Sequence, residues 1–201
     1  NRIKRLMTGL GFTEVINYSF ISKLSCDRLE LRSDDPKRRA IEILNPLSED
    51  QAVMRTSLIP GLLETMRHNL TMQNRNLQLF EIGNGFFSTQ DADSQPVEVE
   101  MLAGLWTGIR NDALWFSKEI HCDFYDLKGI VESLSERFRI KDIKFERQGV
   151  DFFDQVESAR ILLTGCFSGY LGRISVEVLK NFDIKQEILY AQVELSNLLK
   201  Y

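Results

Sequence analysis

A short run of potential metal ligands stands out among the residues that could do chemistry: His121, Cys122 and Asp123, followed by Asp126. A structural zinc site usually takes four well-spaced ligands, most often Cys and His. This run supplies one Cys–His pair, and the only other histidine is His68. A carboxylate at a helix start accepts hydrogen bonds from free N–H groups and faces the positive end of the helix dipole. We therefore predict that Asp123 or Asp126 caps a helix and that the chain has no metal site.

Nucleophilic catalysis has little support in the sequence. A nucleophilic Ser or Cys needs a neighbouring base and a third group that orients this base. The chain has two histidines, His68 and His121, and no Gly-x-Ser-x-Gly sequence. Cys166 lies between apolar segments, so we interpret it as a small buried core residue rather than as a reactive thiol. We predict no catalytic residue.

Gly165, Gly169 and Gly172, with Arg173 after them, invite comparison with a phosphate-binding loop. Their spacing matches neither Gly-x-x-x-x-Gly-Lys-Ser/Thr nor Gly-x-Gly-x-x-Gly. Glycines at such intervals between apolar residues more often mark a hairpin turn or a close approach of strands. We adopt that interpretation and predict no cofactor in this segment.

Two surface patterns could bind macromolecules instead. A polar, mildly basic cluster consists of Arg67, His68, Gln73, Asn74, Arg75 and Asn76. Such residues can contact an RNA backbone, but the net charge of −4 makes a solvated helix face the simpler interpretation. Trp115 and Phe116 indicate an exposed aromatic patch of the type that anchors a protein partner. Trp106 lies in an apolar stretch and should belong to the core.

Composition limits the class of protein. The 201 residues are 43% hydrophobic and 27% charged, a globular balance, and no run approaches the ~18 apolar residues of a membrane helix. Three distant cysteines argue against a disulfide framework and suit a reducing cytoplasm. We expect one domain over residues 1–201, without membrane association and located in the cytoplasm. Because the chain begins at Asn1 rather than Met, we expect it to be a piece of a longer protein.

Hydrophobic periodicity predicts the elements that position these residues. Helices are predicted over 3–10, 22–31, 58–72, 124–138 and 176–182, with Ser57 as an N-cap and Pro60 in the first turn of the third. Strands are predicted over 15–20, 40–44, 97–109, 144–147, 159–165 and 187–195, with a hairpin formed by 77–83 and 85–88 and a mobile acidic loop over 89–96. This order indicates an α+β fold, an antiparallel sheet with helices on one face.

Several motifs occur in one order along nearly the whole chain. They lie at 11–20, 45–50, 54–63, 79–87, 123–129 (Asp-Phe-Tyr-Asp-Leu-Lys-Gly) and 169–172 (Gly-Tyr-Leu-Gly, which resembles a closing turn). Together they resemble the synthetase-like core of bacterial phenylalanyl-tRNA synthetase β subunits. The family-motif positions to which we assign structural or interface roles are Arg55, Pro60, Asn69, Glu81, Gly83, Asp123, Asp126, Lys128, Gly129 and Gly172.

The resemblance implies a class II aminoacyl-tRNA synthetase-like fold, an antiparallel sheet flanked by helices, without an active site. Class II enzymes bind ATP through an Arg-x-Glu strand and through a glycine-rich strand that ends in arginine. Here Glu81 has no arginine two residues before it, and Arg173 comes too early to match. The resemblance implies that ATP and Mg are used by the parent enzyme and not by this segment, and that the chemistry belongs to an α subunit. This core would pack against that subunit in a heterotetramer that aminoacylates tRNA(Phe).

The chain also departs from the family, because 152–155 and 174–175 lack the usual His-Pro pairs, which indicates a divergent member. Our leading hypothesis is a non-catalytic scaffold whose segments 3–20 and 58–72 supply interface surface. Adaptable methionines support it, although core packing is their alternative: Met7, Met54, Met66 and Met72. The alternative functions are a free-standing class II-like ATP-dependent ligase and an RNA-binding module.

Overall fold

A seven-stranded sheet organises the chain. The computed structural model describes residues 2–89, 95–111, 113, 115–116 and 118–198. The strands are β1 (Thr13–Glu14), β2 (Phe20–Ile21), β3 (Val53–Met54), β4 (Leu77–Phe87), β5 (Val97–Thr107), β6 (Ile109–Asn111), β7 (Ile120–His121), β8 (Ile143–Arg147), β9 (Phe153–Leu163), β10 (Cys166–Ile174) and β11 (Leu189–Glu194). The main sheet has the order β1-β4-β5-β11-β10-β9-β8, while β2 pairs with β3 and β6 with β7. Only the β1–β4 pair of the main sheet is parallel within the described residues, so the predicted α+β fold with a mostly antiparallel sheet is confirmed.

Six α-helices accompany the sheet in the described part of the chain: α1 (Arg2–Gly9), α2 (Ser25–Arg28), α3 (Ile59–Thr71), α4 (Phe124–Arg137), α5 (Val176–Asn181) and α6 (Leu195–Leu198). Helix α4 begins where its sequence predicts and ends one residue earlier. Helix α3 begins with Leu58 as its N-cap rather than Ser57. None of the described helices combines the length and apolar character that a membrane span requires.

Helices cover both faces of the sheet. On one face α1 and α4 contribute Met7, Leu127 and Leu134 to a core that includes Trp106. On the other face α3 and α5 pack Leu63, Met66 and other side chains against Leu105 and Tyr190. The expectation of helices on one face is therefore wrong. The reason is visible in β5, where residues 101–107 are all buried, because a strand whose side chains are apolar on both sides needs cover on both sides.

The predicted hairpin over 77–88 is also wrong. Strand β4 runs without a turn and pairs with β5 along its whole length, from Leu77 opposite Thr107 to Phe87 opposite Val97. Gly83 and Gly85 lie within this strand, and neighbouring groups occupy the space that a side chain at either position would need. Positions 90–94 of the predicted acidic loop lie outside the described residues.

Other local predictions were too long. Of the strand expected over 15–20, only Phe20 lies in a strand, as the first residue of β2, because β1 already ends at Glu14. The strand expected over 40–44 is a single bridge between Glu42 and Val53. The helix expected over 22–31 is the short α2. Strand β5 ends at Thr107 because Gly108 adopts a positive φ of 90°, which favours glycine.

Candidate functional site

A buried ion pair lies where several family-motif residues meet. Arg55 Nη1 donates to Glu81 Oε1 at 2.6 Å, and both side chains are almost inaccessible to water. Arg55 comes from the segment after β3, and Glu81 comes from the middle of β4. Removing a charge from water is costly unless a partner and hydrogen bonds compensate it, so these two groups depend on each other.

The remaining atoms of the pair are also engaged. Asn17 Nδ2 donates to Glu81 Oε2 at 2.7 Å, and Thr65 Oγ1 of α3 donates to Asn17 Oδ1 at 2.6 Å. Arg55 Nε donates to the Asn84 carbonyl oxygen at 2.9 Å. The network therefore joins the segment after β1, the segment after β3, helix α3 and strand β4. Both carboxylate oxygens of Glu81 accept hydrogen bonds from side chains of the protein itself.

Two glycines, Gly83 and Gly61, make room for this network, and Gly85 makes room for its neighbour Met101. A Cβ atom at Gly83 would overlap with Arg55 Nη2. At Gly85 it would lie 2.8 Å from the Met101 methyl group, and at Gly61 it would lie 3.0 Å from the Asn17 Cβ. Gly83 is thus required by the arginine that lies against its strand. Pro60 is the second residue of α3, in the predicted first turn, and is buried beside Gly61.

A second polar group lies on the same face of the sheet. Ser57 Oγ and Tyr190 Oη both donate to Gln192 Oε1, at 3.0 Å and 2.6 Å. Complete burial raises the pKa of the Tyr190 hydroxyl far above its ordinary value, so this group stays protonated. Sequence reasoning missed Asn17, Thr65, Tyr190 and Gln192. The available signal was weak: Asn17 is one polar residue in a segment that reads as an ordinary strand.

The Asp123 and Asp126 prediction is confirmed by the capping geometry. Asp123 Oδ1 accepts from the backbone N–H groups of Tyr125 and Asp126, while Asp126 Oδ2 accepts from the Asp123 N–H at 2.9 Å. Both residues thus take part in one capping box at the start of α4. Asp126 also pairs with Arg110 at 2.6 Å. One turn further, Lys128 pairs with Glu132, and Gly129 has open space where a Cβ would lie.

The cysteines differ in their surroundings. Cys166 is exposed at the start of β10, so the prediction that it is a buried core residue is wrong. The turn before it, through Thr164 and Gly165, directs the strand end to solvent. Burial raises the pKa of the Cys122 thiol to about 11, so Cys122 stays protonated at neutral pH. In the described ranges no group of three His, Cys, Asp or Glu side chains is placed to hold a metal ion.

The glycine-rich segment forms a hairpin, as predicted, but its last two glycines lie within β10. Gly165 has a positive φ of 78° in the turn. A Cβ at Gly169 would overlap with the Gln192 carbonyl oxygen, and one at Gly172 would lie 2.7 Å from the Glu157 carbonyl oxygen. Gly172 is therefore a close-approach position and not part of a closing turn. Arg173 pairs with Glu157 and Glu187 at 2.6 Å and 2.9 Å.

The surface predictions have mixed outcomes. Trp106 is buried, and Trp115 and Phe116 are exposed, as expected; whether they bind a partner stays a prediction. In the polar cluster, Arg67 pairs with Glu64 at 2.9 Å. Asn69 Nδ2 donates to the Thr65 carbonyl oxygen in α3, which stabilises the helix itself. Among the methionines, Met7 and Met66 are buried core residues, Met54 is half-buried and Met72 is exposed.

A row of exposed apolar side chains runs along the edge beside the ion pair. Ile16 and Tyr18 are 89% and 76% exposed, and Phe20 follows in β2 at 44%. Asn17 lies between the first two and points inward to Glu81, so the outward residues are held by the buried network. Leu24, four residues after Phe20, is also an exposed apolar residue.

Comparisons with known proteins agree with one another. The sequence pattern of the family described as "Phenylalanyl tRNA synthetase beta chain CLM domain" matches residues 1–195. The phenylalanine–tRNA ligase β subunit of Syntrophotalea carbinolica is 38% identical over 98% of the chain. Those of Geobacter sulfurreducens and Bacillus subtilis are 35% and 30% identical over 98% and 94% of it. The chain spans about a quarter of the length of these curated relatives, 25%, 25% and 23% respectively.

Proposed function

Because this chain belongs to the family of phenylalanyl-tRNA synthetase β chain CLM domains, we propose that it is a non-catalytic scaffold. In this role it supports a catalytic α subunit while the whole enzyme joins phenylalanine to tRNA(Phe) with ATP. The cytoplasm is the proposed location, and three free cysteines suit its reducing conditions. The class II-like architecture is part of the same proposal, and the mostly antiparallel sheet supports it.

The observation that carries the proposal is the closed Arg55–Glu81 network. Glu81 lies in the strand that would hold the Arg-x-Glu residues of a class II enzyme. Its carboxylate accepts from Arg55 and Asn17, so it is not available to orient a nucleotide. Stabilising a transferring phosphate requires cations aimed at the developing charge, whereas the Arg55 guanidinium is buried against the strand. The network thus supports a structural role for this region.

The row Ile16, Tyr18 and Phe20 supports a protein interface. Large apolar side chains that are contiguous and exposed mark interaction sites, and aromatic anchors carry much of the binding energy. Segment 58–72 offers less surface to a partner than expected, because Leu62, Leu63 and Met66 of α3 are buried in the core of this chain. In this proposal tRNA(Phe) is reached through the whole assembly, since Arg67 of the basic cluster is already paired with Glu64.

Co-purification with the α subunit tests the scaffold. In the full β subunit, the double substitution Ile16→Asp/Tyr18→Asp should reduce the recovered α subunit about tenfold or more, because anchor residues carry most of an interface's energy. Val176→Asp is the matched control: Val176 is 59% exposed in the first turn of α5, where an acidic residue is favourable. Equal recovery for both variants contradicts the proposed interface. Equal recovery with a β subunit that lacks this chain contradicts the scaffold itself.

A further inference from the structure

A cleft of about 330 Å³ lies over β10 and β11, away from the Ile16–Phe20 row. Its floor follows one line across the sheet: Arg160 of β9 lies opposite Tyr170 of β10, and Tyr170 lies opposite Gln192 of β11. Side chains in such a line share a face of the sheet. Lys37 and the residues 148–151 form its sides. The volume falls at the lower end of the roughly 300–1,000 Å³ of small-molecule pockets.

Gln192 brings an unused hydrogen-bond donor to this cleft. The side chain is 5% exposed, and its Oε1 accepts from Ser57 and Tyr190. Its Nε2 group donates to no acceptor in the residues that the structure describes, although every fully buried side-chain nitrogen and oxygen there has a partner. Nε2 is therefore accessible, and the cleft that Gln192 lines is where it can donate.

Arg160 brings a positive charge, with Glu146 of β8 opposite it in the sheet. Its guanidinium lies 4.9 Å from the centre of the Phe167 ring and forms no ion pair with the described carboxylates. The Phe167 ring lies 5.0 Å from that of Tyr170, and Lys37 Nζ lies 5.2 Å from the Tyr170 ring. These four side chains form a stacked wall in which each cation covers an aromatic ring, so the position of Arg160 is fixed by packing.

The carboxylates of the cleft are already engaged. Asp35 pairs with Lys37 at 3.5 Å, and Asp151 accepts from the Arg32 N–H at 2.9 Å. Glu194 accepts from Asn197 at 3.4 Å. The donors that the cleft offers to a ligand include the Arg160 guanidinium and the Gln192 amide. Apolar side chains complete the lining: Phe87, Met101 and Val150.

We propose that this cleft binds a small organic carboxylate with a compact apolar body. Arg160 pairs with the carboxylate, Gln192 Nε2 donates to it, and the apolar body contacts the lining near Met101. Charge-assisted hydrogen bonds to a carboxylate are the stronger class of hydrogen bond, and the half-buried position of Arg160 limits screening by solvent. This site is independent of the scaffold role, because it uses neither the ion pair nor the exposed edge.

Titration of the purified chain followed by amide NMR tests the site, with benzoate, its neutral isostere benzamide, and inorganic phosphate as probes. Benzoate should shift amides of the cleft, and benzamide and phosphate should bind about tenfold more weakly, because each lacks one of the two required features. If benzamide binds as tightly as benzoate, the proposed role of the ligand's charge is wrong. If phosphate binds as tightly as benzoate, the proposed role of the ligand's apolar body is wrong.

Substitutions assign the contacts. Arg160→Gln should weaken benzoate binding about tenfold, Arg160→Lys should retain most of it, and Lys180→Gln on the exposed face of α5 should leave it unchanged. Gln192→Glu, which puts a negative charge at the same position, should abolish it, while thermal melts of all variants verify folding. The proposal is wrong if Arg160→Gln and Gln192→Glu fold and bind benzoate as the Lys180→Gln control does.

Discussion

At the scale of single residues, the chain uses its polar groups mainly for its own structure. Arg55, Glu81 and Asn17 come from three distant segments and satisfy one another away from water. Such a network is stable only as a whole, because a buried charge that loses its partner keeps its full desolvation cost.

The ion pair can therefore be tested by removing one of its two charges. Arg55→Met should lower the free energy of unfolding by about 3–5 kcal/mol, since it leaves Glu81 buried without a counter-charge. Adding Glu81→Met in the same chain should restore part of that loss. Urea denaturation provides the measurement, with Arg67→Met at the exposed pair with Glu64 as the control, where the loss should stay below about 1 kcal/mol. A loss at Arg55 no larger than at Arg67 would contradict the buried network.

The cysteines should differ in reactivity. Alkylation by iodoacetamide at pH 8, followed by mass spectrometry, should modify exposed Cys166 first. Burial raises the pKa of the Cys26 thiol, and it raises that of Cys122 to about 11. Because only the thiolate reacts, Cys122 should react last, and its rate should rise as pH increases toward 11. As a control, the three cysteines should be alkylated at equal rates in urea. In the folded protein, alkylation of Cys122 as fast as that of Cys166 would contradict the burial of Cys122.

At the scale of elements, the strongest local signals predicted α4 well, weaker ones overextended short strands and helix α2, and distant pairings were not predicted. The start of α4 follows from Asp123 and Asp126, since a capping box needs only four consecutive residues. The sequence did not predict the path of β4, because Gly83 suggests a turn. The reason for this glycine is Arg55, which is distant in the chain and lies beside it only in the folded protein. For the same reason the network around Glu81 could not be predicted: its members are neighbours only after folding.

Gly83 and Gly129 have different surroundings, so replacing each by alanine should change the stability in opposite directions. Gly83→Ala should destabilise the protein by about 1–3 kcal/mol, because its Cβ overlaps with the Arg55 guanidinium. Gly129→Ala should stabilise it by about 0.5–1 kcal/mol, because this glycine lies inside α4 with open space around it. Thermal or urea unfolding of both variants checks the pair. The same sign for both would show that β4 adapts to a side chain.

Helix α4 depends on its cap. Asp123→Ala should cost about 0.5–2 kcal/mol of stability, because the N–H groups of Tyr125 and Asp126 lose their acceptor. Asp142→Ala, which removes an exposed carboxylate paired with Lys144 at 3.8 Å, should change stability by less than about 0.5 kcal/mol. Urea denaturation compares the two variants, and equal losses would contradict the capping role.

At the scale of the whole molecule, the proposed scaffold and a free-standing ligase make different predictions. A free-standing ligase would form an adenylate and exchange labelled pyrophosphate into ATP. We expect the purified chain to show no such exchange with phenylalanine, because Glu81 and Arg55 bind each other instead of a nucleotide. A heat-denatured sample sets the background and the complete enzyme serves as the positive control. Sustained exchange by the chain alone would overturn the proposed function.

The position of β11 has a consequence for synthesis on the ribosome. This late strand separates β5 from β10, so a nascent chain can form the β4–β5 and β9–β10 hairpins but cannot join them until residue 194 emerges. The 81 residues between Thr107 and Leu189 take about 4–16 s to translate at about 5–20 residues per second. The edge of the β4–β5 hairpin stays open throughout that interval, and the edge of the β9–β10 hairpin stays open from Ile174 onward; open strand edges and apolar surface make a nascent chain prone to aggregation.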